Sequence, residues 1–348
     1  MEKLQIQKFG ITKDGSKPYL YKMKNDAGME VQVSDFGATL VNVTVLDQDK
    51  NPVEVVLGYE DAAGYENGTA AIGAIVGRNA NRIGGACVTI NGIDYKLAEN
   101  DGKNNLHSGP DVYQKRMWRV VENGDDHVTF LLHSPDGDQG YPGALDIKVT
   151  YTLDEENGLT IHYEAVPDQD TVINMTNHSY FNLNGHKSGS VLHHRMQLLS
   201  DAFTPADAQS IPTGEVCSVD GTPMDFRSTK ELGAEIDAAY EPLILGNGYD
   251  HNWVLKNEGR FDKVAEVTGD ESGIVMEVWT DRPGVQVYTA NFLENEAGRN
   301  GAVYQKRDAV CLETQNYPDA VHQKNFPEAI CKKGETYDTK TAYRFHIE

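Results

Sequence analysis

Asp146-Ile147-Lys148-Val149-Thr150-Tyr151-Thr152-Leu153 and Leu159-Thr160-Ile161-His162-Tyr163-Glu164-Ala165-Val166 flank a turn signal at Asn157-Gly158. Through most of each run an apolar side chain alternates with a polar one. A period of two sends alternate side chains to opposite faces of an extended chain, so each run reads as a strand with one buried and one wet face. Val, Thr and Tyr are strand formers, and Asn-Gly suits the tight turn of a hairpin. Similar short β-type runs extend in both directions. Residues 30–33, 39–46, 53–57, 118–122 and 127–133 precede the pair; 275–280, 285–290, 309–313 and 342–347 follow it. Asn67-Gly68, Asn91-Gly92, Asp101-Gly102 and Pro283-Gly284 punctuate them as turns. Helical periodicity is scarce, and residues 229–239 are the one stretch expected to form a short helix. No strand–helix–strand rhythm appears, which argues against a parallel doubly wound sheet. Neither an internal repeat nor a long linker divides the chain. The expected fold is all-β: one large antiparallel β-sandwich domain spanning residues 1–348, with few short helices.

Composition narrows the function. An apolar fraction of 39% and an aromatic fraction of 9% in 348 residues support a large core and argue against disorder. The 33 glycines and 17 tyrosines suggest many turns and a polar groove. A net charge of −22 repels phosphate backbones and anionic lipid, so neither nucleic acid nor a membrane surface is an expected partner. It also disfavours a strongly anionic substrate. Residues 1–12 lack the apolar core of a signal peptide, and no stretch approaches the ~20 apolar residues of a spanning helix. Cys87, Cys217, Cys311 and Cys331 are far apart and form no Cys-x-x-Cys pair. A reduced, cytoplasmic protein is the expectation.

Three dense polar segments stand out. The first joins Gly77-Arg78-Asn79-Ala80-Asn81-Arg82-Ile83-Gly84-Gly85 to Asn104-Asn105-Leu106-His107-Ser108-Gly109. The second is Asn174-Met175-Thr176-Asn177-His178-Ser179-Tyr180-Phe181-Asn182-Leu183. The third runs Cys311-Leu312-Glu313-Thr314-Gln315-Asn316-Tyr317-Pro318-Asp319-Ala320. Taken singly, each has a structural reading: a hydrogen-bonded histidine, an edge glutamate, an asparagine turn. Together they offer one carboxylate and two imidazoles, enough for acid–base chemistry near neutral pH. Arg, Asn, Asp and Gln around them can bind hydroxyl groups, as an uncharged polyol such as a sugar requires. Cys311 is expected to be small core packing. His193-His194 would face opposite ways on an extended chain, and there is no His-Glu-x-x-His motif or close Cys/His set, so no metal is expected.

At these residues the chain resembles a known family. Asn81-Arg82-Ile83, Asn105-Leu106-His107-Ser108-Gly109, Asp138-Gln139-Gly140-Tyr141-Pro142-Gly143, Thr176-Asn177-His178-Ser179-Tyr180-Phe181-Asn182-Leu183, Asp250-His251-Asn252, Pro283-Gly284-Val285-Gln286 and Glu313-Thr314-Gln315 look like the signatures of the aldose 1-epimerase, or galactose mutarotase, family. They occur in the family's order from about residue 20 onward, and the Thr-Asn-His-Ser-Tyr-Phe-Asn-Leu run is the most specific. The resemblance implies the galactose mutarotase-like supersandwich, an open groove for a monosaccharide, and no cofactor. It implies Glu313 as general base and His178 as general acid; His107, counted with them as a catalytic candidate, either shares the donor role or supports the sugar. It implies Arg82, Asn81, Asp250 and Gln286 as sugar-binding or supporting residues.

Interconversion of α and β anomers needs a base at the anomeric hydroxyl and an acid at the ring oxygen. That expectation starts from an ionised Glu313 and a protonated His178, the imidazole pKa raised by the carboxylate. Tyr180, Phe181, Tyr288 and Phe292 are candidates for an aromatic platform under the sugar. A non-catalytic carbohydrate-binding protein would not need the Glu–His pair. A hexose-6-phosphate 1-epimerase would need clustered cations, for which Arg78, Arg82 and Arg116 are the nearest. Monomer and homodimer are both compatible with the sequence.

Overall fold

The structure, a computed structural model, describes residues 3–348. The alternating pair of runs forms a hairpin: Leu145–Leu153 lies antiparallel to Gly158–Pro167, with Leu145 opposite Pro167 and Leu153 opposite Leu159. Ile147, Val149, Tyr151, Ile161 and Tyr163 are buried on one face, as the period demands. The hairpin belongs to a nine-stranded antiparallel sheet. Arg119–Asn123 and His127–Ser134 extend it on one side. Tyr337–Ile347, Ile274–Thr280, Asp262–Thr268, Arg195–Leu198 and Lys230–Glu231 extend it on the other. Tyr337–Ile347 therefore lies inside the sheet, between Gly158–Pro167 and Ile274–Thr280.

Two five-stranded sheets cover the buried face. One is a meander of Leu4–Lys8, Tyr19–Lys24, Glu30–Ser34, Thr39–Leu46 and Pro52–Glu54. The other has the order Cys217–Ser218, Ala202–Thr204, Asp250–Val254, Gly284–Tyr288 and Cys311–Gln315. One cluster of buried side chains draws on all three sheets, with Met23 and Val33, Val149 and Met276, Trp253 and Leu312 among its members. Full burial of each such aliphatic side chain stabilises the fold by about 1.5–3 kcal/mol. Tyr151 and Tyr343 enter this core without leaving a hydroxyl unpaired. Their hydroxyls donate across the interface to the Ala38 carbonyl at 2.7 Å and the Leu312 carbonyl at 3.2 Å.

Two expectations need correction. Residues 229–239 form no helix. Lys230–Glu231 pairs as an edge strand, and the Leu232 and Gly233 N–H groups donate to the His194 and Leu192 carbonyls, tying the chain to the sheet edge. The α-helices among the described residues are Ala62–Asn67 and Glu241–Gly246, six residues each. The expected strand at 342–347 begins at Tyr337, because buried Thr339 and Thr341 hide its inward face from an apolar count. Among the described residues no helix is long and apolar enough to cross a membrane. All four cysteines are free thiols.

Candidate active site

Three adjacent strands, Asp250–Val254, Gly284–Tyr288 and Cys311–Gln315, build the floor. Their period of two sends Trp253, Val285, Val287 and Leu312 into the core. The other face carries two cross-strand rows, Asn252–Gln286–Glu313 and Asp250–Tyr288–Cys311. Cys311 thus shares a face with Glu313, where it packs in an apolar cluster with Tyr180 and Tyr288, a packing role as expected. Gly284 permits the close approach of its neighbours. A Cβ there would lie 2.4 Å from Asn252 Oδ1 and 2.9 Å from the Tyr317 ring.

His178 comes from a separate short strand, Thr176–His178, paired with Ala74–Val76. Its main-chain carbonyl accepts from the Gly73 N–H at 2.9 Å. This places His178 Nε2 3.5 Å from Glu313 Oε1, both side chains buried. The imidazole stacks on Tyr180, with ring centroids 5.0 Å apart and planes at 24°. Glu313 Oε2 is buried and has no hydrogen-bond partner among the described residues. Such an acceptor in a folded protein calls for an explanation, and a ligand hydroxyl supplies one.

His107 arrives on a third arm. Asn105–Leu106 pairs with Arg82–Ile83, and Asn81 and His107 exchange two further hydrogen bonds. The His107 N–H donates to the Asn81 carbonyl at 3.0 Å, and the Asn81 N–H donates to His107 Nδ1 at 3.1 Å. Asn81, His107 and Ser108 all hold positive φ, of 60°, 53° and 55°. Such clusters of uncommon backbone geometry gather where side chains must be aimed. The His107 and His178 rings meet edge to face, 5.6 Å between centroids. Arg82 is braced by Asp101, Nε to Oδ2 at 2.7 Å.

These arms enclose a cavity of about 380 Å³. Asn81, Arg82, His107, His178, Asp250 and Glu313 line it. Gln286 stands behind the lining and donates to Asp250 Oδ1 at 2.7 Å. Of the four aromatic candidates Tyr180, Tyr288 and Phe292 face the cavity, and Phe292 is the most exposed of them, at 64%. Phe181 does not. Next along the chain from Tyr180, it turns into the core against Tyr343, 4.8 Å between centroids.

Burial governs the charges. It pushes the Glu313 carboxyl well above the usual carboxylate range, helped by nearby Asp250 and opposed by Arg82. Burial raises Asp250 as well. It drives His107 well below its ordinary value and lowers His178 to about 4. The expected rise at His178 is therefore overturned: removal from water outweighs the carboxylate beside it. Burial thus disfavours charge on both members of the pair.

His107, His178 and Glu313 offer three ligand atoms within 4.8 Å of one another. The donor set does not fit a metal centre. A metal-ligating histidine donates its other N–H to an acceptor. His107 Nδ1 instead accepts from a main-chain N–H, so the proton is on Nε2. His107 is a neutral hydrogen-bond donor.

The model of the family described as Aldose 1-epimerase matches residues 19–344. The chain belongs to the aldose 1-epimerase family. The galactose mutarotase of Bos taurus is 42% identical over 330 residues, covering 94% of each chain. The aldose 1-epimerase of Escherichia coli K12 is 37% identical over 341 residues, covering 97% of this chain and 98% of its own. Among solved structures, an aldose epimerase homologue from C. elegans superposes with a TM-score of 0.88 at 30% identity, over 94% of this chain and 98% of its own. A galactose 1-epimerase from Lactobacillus acidophilus gives 0.87 at 27%, over 100% of this chain and 99% of its own.

Within this aldose 1-epimerase family member, two of the three arginines considered for a phosphate, Arg78 and Arg116, lie outside the cavity lining. Arg78 is fully buried and donates to the Pro142 and Gly143 carbonyls and to Ser134 Oγ. Arg116 is held by Asp138 and Asp111. His193 is exposed beside Glu231, and His194 is buried between Asp270 and the Leu183 N–H. Sequence reasoning did not point to the rim residues Thr69, Leu293, Glu294 and Glu296. Thr69, Leu293 and Glu294 sit in loops and Glu296 on the two-residue strand Glu296–Ala297, all without periodicity or motif, and only the fold brings them to the cavity.

Proposed function

We infer that the chain is an isomerase that interconverts the α and β anomers of free hexoses such as galactose and glucose. The observation that carries the reading is a buried carboxylate and a buried imidazole 3.5 Å apart, facing one cavity with a second, neutral imidazole. Family membership over residues 19–344 supports it.

The chemistry follows from these groups. Glu313 removes the proton from the anomeric hydroxyl while His178 delivers one to the ring oxygen, and the C1–O5 bond opens. Rotation about C1–C2 presents the other face of the aldehyde, and the same two groups act in reverse. For this the pair's proton sits on His178 and Glu313 is ionised. Sugar hydroxyls donating to Glu313 stabilise the carboxylate, which burial alone disfavours. The Arg82 charge helps in the same direction. His107, neutral and protonated at Nε2, donates to the ring oxygen or an adjacent hydroxyl. Asp250, braced by Gln286, accepts from hydroxyls, and Arg82 and Asn81 hold others. Tyr180, Tyr288 and Phe292 offer ring faces to the apolar side of a pyranose.

A phosphorylated sugar fits this cavity poorly. Arg82 is the one Arg or Lys lining it, against Asp250, Glu294, Glu296 and Glu313. A module that only binds sugar has no use for a proton-exchanging pair buried at the floor.

Polarimetry of freshly dissolved α-galactose and α-glucose tests the reading. The protein should accelerate mutarotation, and Glu313→Gln and His178→Asn should each lower kcat by about 10²–10⁴-fold while remaining folded. Near-normal turnover in both folded variants would refute the assignment.

A further inference from the structure

Asp319 is buried outside the cavity lining, six residues after Glu313 along the same segment. Its main-chain N–H donates to the Arg82 carbonyl at 3.0 Å. Its Oδ1 accepts from the Gly84 N–H at 2.8 Å and meets His322 Nδ1 at 2.7 Å. The His322 ring lies beside the Cys87 backbone. One aspartate thus grips the Arg82–Gly84 backbone at two points, and the His322 imidazole orients it. On its other side Arg82 pairs with Leu106, and its side chain is tied at Nε to Asp101. The two terminal guanidinium nitrogens donate to no group among the described residues, and Arg82 lines the cavity.

We propose that Asp319, oriented by His322, is a positioning residue for substrate: it fixes the Arg82 backbone so that the free guanidinium nitrogens meet the sugar hydroxyls at a set distance from Glu313. The inference rests on the mutarotase reading. Because Glu313 and Asp319 lie on one continuous segment, the base and the clamp on Arg82 are placed by the same piece of chain. Asp319 acts through Arg82, which holds the sugar and also favours the ionised Glu313, so its loss should raise KM by more than it lowers kcat.

The test is a double-mutant cycle read by polarimetry against galactose concentration. Asp319→Ala should raise KM about tenfold, the loss of one hydrogen-bonded anchor. Asp319→Asn, which keeps an oxygen for the Gly84 N–H, should restore most of that. His322→Gln should raise KM by a smaller factor. In the Arg82→Ala background both the Asp319→Ala and the His322→Gln effects should vanish, as coupled residues require. A fall in kcat at unchanged KM overturns the proposal, as does an equal KM increase with and without Arg82. If Asp319→Ala does not fold, His322→Gln decides: an effect that needs Arg82 supports the clamp, and unchanged KM overturns it. A wild-type protein without mutarotase activity would instead refute the function itself, which keeps the two failures apart.

Discussion

At the scale of residues, the site is a problem of where one proton resides. Glu313 and His178 are each penalised by burial for carrying charge. The sign of the pH dependence follows. The active pair holds one proton in total. A second proton adds as pH falls through the lowered His178 value, about 4. The single proton is lost as pH rises through the raised Glu313 value. The profile of kcat/KM, which reports the free enzyme, should therefore stay level down to about pH 4 and fall below it. An acid limb near the ordinary histidine value would instead mean that burial does not hold His178 down. The sequence motifs contained both residues but could not reveal this balance. Burial is set by strands far away in the chain, and burial is what decides it. The Tyr180–Phe181 pair was likewise undivided in sequence: two neighbouring aromatics look alike until the local backbone sends one to the sugar cavity and the other to the core.

At the scale of elements, Gly73 ties the arm carrying His178 to the strand Thr39–Leu46. It lies between the Leu40 region and the strand carrying His178, exchanging main-chain hydrogen bonds with both. Its φ is +67°, and a Cβ would sit 2.0 Å from the Leu40 carbonyl oxygen. Gly73→Ala should destabilise the fold by more than about 1 kcal/mol. The measurement is the urea midpoint, and an unchanged midpoint would contradict so close an approach of the two backbones. Elements were readable from sequence where one face is apolar and the other wet, as at Leu145–Leu153, or where strand formers run together, as at the largely buried Thr39–Leu46. They were not readable where buried threonines face inward, as at Thr339 and Thr341, or where an irregular segment borrows its hydrogen bonds from a distant strand, as at Leu232 and Gly233. The Asp319–His322 clamp was hidden for the same reason. Its residues stood in or beside a quoted motif, but their partners at 82 and 84 are joined to them only by the fold.

At the scale of the whole molecule, the three sheets share one buried cluster, and Tyr337–Ile347 runs through the middle of the largest. Chain shortening should be tolerated very differently at the two ends. Leu4–Lys8 is an exposed edge strand of a smaller sheet, so a chain starting at residue 9 should keep a cooperative thermal transition. A chain ending at residue 336 splits the nine-stranded sheet and strips Tyr343 and Phe345 from the core. It should lose its near-ultraviolet circular dichroism and bind a hydrophobic dye. A cooperative transition in that shorter chain would mean that the two half-sheets are stable apart.

The interior placement of that strand also bears on how the protein is made. During translation Gly158–Pro167 leaves the ribosome with one flank unpaired and must wait for residue 337 and beyond. At ordinary elongation speeds the delay is on the order of ten seconds or more. For that interval the nascent polypeptide presents an open β edge and an uncovered apolar surface, both invitations to self-association. Yield in a cell should accordingly depend on chaperone supply and growth temperature.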